Sequence, residues 1–174
     1  MTDFSRSPSM APSDGYSLSK MFESVALLCQ VAQGTVPVID ALRHLSKTFD
    51  ADLISLSRVD IRPGHHTAKV FSHNTRQRIS EGTVAFDTSF AAAIVGQDLH
   101  RAKDGTVWFG TDDTLMAHSR LSAVYGAHGF EETAVMLLDK KATTADFLEM
   151  HFCAPITAEH QTNFETLVPI LSDC

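Results

Sequence analysis

The segment from Glu131 to Cys153 limits the fold more than any other. It reads ETAVMLLD, KKATTA, DFLEMHFC: two apolar runs joined by a short polar connection. In the second run Leu148, Met150 and Phe152 alternate with Phe147, Glu149, His151 and Cys153. In the first, Ala134, Met136 and Leu138 stand against Thr133, Val135 and Leu137, so apolar residues occur on both sides. That weak alternation predicts a central strand covered on both faces. The short connection from Asp139 to Thr144 makes the two strands neighbours in an antiparallel hairpin.

A second hairpin is legible upstream. ADLISLSRVD (51–60) places Ile54 and Leu56 on one face, and Leu53, Ser55, Ser57 and Val59 on the other. A Pro63-Gly64 turn leads into TAKVFSH, where Ala68, Val70 and Ser72 alternate with Lys69, Phe71 and His73. Two amphipathic helices precede it. Leu18, Met21, Phe22, Val25, Leu28, Cys29 and Ala32 form the first stripe, which stops at Gly34; Val38, Ala41, Leu42, Leu45 and Phe49 form the second, behind Pro37. A last helix is expected after Thr157, a good N-cap, with Phe164, Leu167, Val168 and Leu171 as its stripe and Pro169 kinking or ending it. Between the hairpins, Asn74–Val84 reads as a polar loop, and short helices are expected after Asp87 and from Ser119 to Tyr125. A brief strand is expected at Thr106–Phe109.

These elements define an α+β fold: one antiparallel sheet, terminal helices over one face, and a helical and irregular insert, Phe86–Gly129, closing the other. Residues 1–16 are rich in Ser, Pro and Gly and are expected to form a disordered tail, with a single domain over 17–174. A chain of 174 residues with 44% hydrophobic and 20% charged residues can bury a sizeable core. Its formal net charge of -7 argues against a broad nucleic-acid surface. No segment has the pattern of an export signal or the length of a membrane span, so a cytoplasmic protein is expected. Cys29, Cys153 and Cys174 are widely spaced and form no CxxC, which predicts a reduced chain in which Cys29 is an inert part of a helix stripe.

Chemistry-bearing motifs are scarce. The nine glycines form no phosphate-binding loop, and neither HExxH nor GxSxG occurs. Glu149 and His151 share one strand face, a spacing that would suit a shared proton or metal, with His65, His66 and His73 as the only supply of a third ligand. Nothing ties them to Glu132 or Asp113 as a catalytic set, so they are expected to be ordinary surface residues, with no catalytic group, metal or cofactor. The aromatic content of the middle points instead to an apolar concavity. Trp108 and Tyr125 carry a polar handle, and Ser55, Ser57, Ser72 and Thr133 are candidate polar groups where the sheet faces it. The residues expected to line a ligand site are Ser55, Phe71, Phe90, Trp108, Tyr125 and Met136.

Several segments carry a resemblance: MFESVALLCQVAQGTVPVIDALRHL, ADLISLSRVD, KDGTVWFGTDD, YGAHGFEETAVMLLD, DFLEMHF and ITAEHQTNFETLVPIL. In order and texture they resemble the N-terminal sensory region of LuxR-type bacterial transcription regulators, which is GAF-like or PAS-like. The resemblance implies a regulatory domain that senses a small, largely apolar ligand, forms a homodimer and acts on DNA only through a helix-turn-helix domain that this sequence does not contain. The other reading is a ligand-free dimerisation module, built from the apolar stripes of Leu18–Gln33 and Thr157–Leu171.

Overall fold

The computed structural model describes residues 18–63, 67–75, 80–85, 99–111 and 129–171. The expected tail, the short helices after Asp87 and from Ser119, and the candidates Phe90 and Tyr125 lie outside them. The described elements are α1 (Leu18–Ala32), α2 (Val38–Phe49), β1 (Leu53–Asp60), β2 (Thr67–Asn74), β3 (Ser80–Ala85), β4 (Val107–Thr111), β5 (Glu132–Lys140), β6 (Thr144–Phe152) and α3 (Ala158–Leu171).

The strands form one antiparallel sheet in the order β3-β2-β1-β6-β5-β4, so both hairpins stand where the alternation puts them. Their registers bring β1 and β6 together at the centre, with Ser55 opposite Glu149 and Leu56 opposite Leu148. One expectation fails at the edge: Ser80–Ala85 is a strand and not part of a loop. Its sequence, SEGTVA, lacks an apolar alternation, and it is held by pairing along β2 from Thr67↔Ala85 to Ser72↔Ser80.

Helix ends follow local chemistry. α1 stops where Gly34, at φ 72, turns the backbone left-handed and the Thr35 N–H returns to the Gln30 carbonyl at 2.9 Å. Thr157 caps α3, its hydroxyl accepting the His160 N–H at 3.2 Å. That helix runs two residues past Pro169, which sits in its last turn, where only the final part of the ladder is lost.

The main core lies between the sheet and the helices. Ile54, Met136, Leu148 and Met150 meet Leu42, Leu45 and Phe49 of α2 and Phe164 and Leu167 of α3, while Phe49 stacks on Phe164 at 5.0 Å. The helix α1 packs chiefly on α2 and α3 and less on the sheet. His73 of β2 lies on this side; its burial, with Arg43 and Lys47 of α2 nearby, pushes its pKa down. Cys29 departs from expectation: it is disulfide-bonded, whereas Cys153 is not part of a disulfide. Isolated spacing in sequence excludes a CxxC pair but says nothing about cysteines that folding brings together.

The far end of β6 is tied closely to its surroundings. Asp52 accepts the Cys153 N–H at 2.7 Å, Glu131 N–H returns to Phe152 at 2.8 Å, and Glu132 accepts the Ile156 N–H at 2.5 Å. No helix among the described residues is long and apolar enough to cross a membrane.

Candidate functional site

Directly paired residues of an antiparallel sheet point to the same side, so the registers define rows across it. Turned away from the terminal helices is the row Ser72, Ser55, Glu149, Val135, Trp108. Beside it runs Asn74, Leu53, His151, Thr133, Gly110. These two rows place hydroxyls, a carboxylate and an imidazole in the middle of a sheet face.

That face is not a solvated one. Glu149 is 2% exposed and His151 is fully buried; Ser55, Ser57 and Thr133 are buried with them. The expectation that Glu149 and His151 are ordinary surface residues is therefore overturned. Polar groups at such depth persist because they are hydrogen-bonded. Ser57 donates to Glu149 Oε1 at 2.6 Å, and Thr133 Oγ1 lies 2.8 Å from His151 Nδ1. Phe130 covers the imidazole, with ring centroids 5.5 Å apart. Desolvation lowers the His151 pKa to about 3, so the ring is neutral at physiological pH.

An apolar border adjoins the polar centre. Val59, Ala68, Val135, Leu137, Ala145 and Phe147 form a second buried cluster on this side, against which Trp108 packs half-buried. Lys140 holds the turn before β4 by donating to the Leu99 carbonyl at 3.1 Å. The result is a face with apolar margins and a few convergent hydrogen-bonding groups, the usual chemistry of a small-molecule site. Among the described residues no group of three or more His, Cys, Asp or Glu is placed to hold a metal ion.

The ligand-site expectation divides across the sheet. Ser55 and Trp108 share the polar row. Phe71 and Met136 share the row Phe71, Leu56, Leu148, Met136, Val107, which points to the terminal helices, with Met136 inside the main core. Ser57, Ser72 and Thr133, read in sequence as candidate polar groups, do lie on the side of Ser55. Glu149 and His151 were missed as members. The signal was available: they stand two residues apart on the strand that pairs with the serines of β1.

The same arrangement of sheet and helices recurs in solved structures. The chain matches a phycocyanobilin-bound GAF domain from a cyanobacterial phytochrome with a TM-score of 0.58 at 9% identity, over 88% of this chain and 92% of that one. It matches the GAF domain of an Acinetobacter phosphoenolpyruvate-protein phosphotransferase with a TM-score of 0.57 at 13% identity, over 90% of each chain. The fold is that of a GAF domain. A third GAF domain, from a Bacillus halodurans two-component sensor histidine kinase, gives a TM-score of 0.50 at 14% identity over 78% of this chain and 89% of that one. No family model and no curated protein matches the sequence. At these identities the likeness establishes the GAF fold, and function has to be argued from the residues on the sheet.

Proposed function

We propose that this GAF domain is a small-molecule-sensing regulatory domain, with its ligand held against the sheet face turned away from the terminal helices. The observation that carries the reading is the buried polar centre of that face: Ser55, Ser57, Thr133, Glu149 and His151 beside Trp108 and Val135. A buried carboxylate and a neutral imidazole are costly in a purely structural core, whereas a recognition site makes use of them. Ligand binding would shift the population of states through β6 into α3. We read the domain as non-catalytic and cytoplasmic. We place it in the context the sequence resembles, a LuxR-type transcription regulator that dimerises and meets DNA through a separate helix-turn-helix domain.

A ligand-free dimerisation module is the second reading, and one observation favours it. Phe22 on α1 is 59% exposed, so part of that helix's apolar stripe is surplus to the core. Native mass spectrometry of the purified chain separates the two readings, since it reports bound molecules and subunit number together. A retained small molecule lost on substituting Glu149→Leu supports sensing. An empty dimer whose thermal stability does not respond to a broad metabolite screen supports the interaction module and ends the sensing proposal.

A further inference from the structure

On the opposite side of the sheet from the polar face lies a concavity. Its volume is about 690 Å³, and Leu56 and Phe71 form its floor, with Leu138 at one end. Leu28 and Val31 of α1 and Leu171 of α3 form its walls. The gap has a structural origin: α2 and α3 rest on the sheet, while α1 rides chiefly on those two helices, so its C-terminal half stands off the strands. Such a volume falls within the range of about 300–1,000 Å³ typical of small-molecule sites.

The rim says what kind of molecule fits. Three cations and three carboxylates surround the opening: Arg58, Lys69 and Lys141 with Asp104, Asp139 and Asp146. Arg58 is committed to Asp146 by two hydrogen bonds of 2.7 and 2.6 Å, and Lys141 to Asp139 at 2.9 Å. Lys69 sits over the Phe71 ring, 4.7 Å from its centroid. Three cations against three carboxylates leave the opening without net charge, which gives neither an anionic nor a cationic head group a long-range advantage.

We infer that this groove is a second binding site, for an uncharged and largely apolar small molecule that contacts α1 and α3 together. An occupant would replace the missing packing between α1 and the sheet, and so fix the relative position of the two terminal helices. Phe71, expected from sequence to touch a ligand, would do so here and not on the polar face.

The test uses two fluorescent probes that differ by one charge, N-phenyl-1-naphthylamine and its sulfonate, 1-anilinonaphthalene-8-sulfonate. The neutral probe should bind saturably, one per chain, and at least about tenfold more tightly than the sulfonate. Val31→Trp fills the groove from a half-buried helix position, and circular dichroism would verify that the variant folds. That variant should weaken the neutral probe by about tenfold or more. No saturable binding, or equal binding to folded Val31→Trp, overturns the site. Equal or tighter binding of the sulfonate overturns the assignment to an uncharged ligand.

Discussion

The two sides of β6 obey different rules. Leu148, Met150 and Phe152 face the terminal helices and are held by close packing alone, a surface on which any apolar shape of the right volume would serve. Phe147, Glu149 and His151 face the other way and are just as buried, yet two of the three are polar and depend on particular partners. One strand therefore carries a generic core on one side and a chemically specific one on the other. Folding needs the first; the second has a composition that folding by itself does not ask for.

The largest effect should come from the generic side. Leu148→Ala opens a cavity in the main core and should cost about 2–5 kcal/mol in urea denaturation, without changing what the polar face binds. If it costs under about 1 kcal/mol, the helix side is less tightly packed than described. The next effect is a pH dependence. The unfolded chain takes up a proton on His151 below pH 6.5, and the folded chain does so only near its lowered value of about 3. Stability from this group is thus complete above 6.5 and falls as the pH drops between those limits, by about 2 kcal/mol at pH 5. His151→Gln should flatten the stability-against-pH curve by that amount between pH 7 and 5. An unchanged slope would mean that the imidazole is hydrated.

Of similar size is Ser57→Ala, which removes a hydrogen bond to a buried carboxylate and should cost about 1–3 kcal/mol by thermal denaturation. Its effect should be less in Glu149→Gln than in the parent, and strict additivity would deny the coupling. The smallest concerns Arg58 and Asp146. The guanidinium pKa is raised, first by the hydrogen bond to Asp146 and then by its charge, but the arginine side chain is 64% exposed. Solvent screening leaves about 0–1 kcal/mol, so Arg58→Ala should barely move the midpoint while altering the rim of the groove.

The sequence carried the sheet because its central strands announce themselves by apolar content, and the hairpins by short connections. It failed where structure comes from a neighbour. SEGTVA has no pattern of its own, and its strand exists because β2 offers an edge. The polar face was half legible. Ser55 and Ser57 stand at alternate positions and so share a face of β1, whereas Ser72 and Thr133 join them only through the registers of β2, β6 and β5. Glu149 and His151 read as surface because ionisable residues usually are. Ser55 and Phe71 could not be assigned to different faces from their own strands. That requires the register between strands, and a slip of one residue reverses it.

The join between β6 and α3 has no slack. Cys153 is pinned to Asp52, Ile156 to Glu132, and Thr157 closes the helix start. The start of α3 is thereby anchored to both neighbours of β6, to β5 through Glu132 and to the approach of β1 through Asp52, so the helix begins at a position set by the sheet.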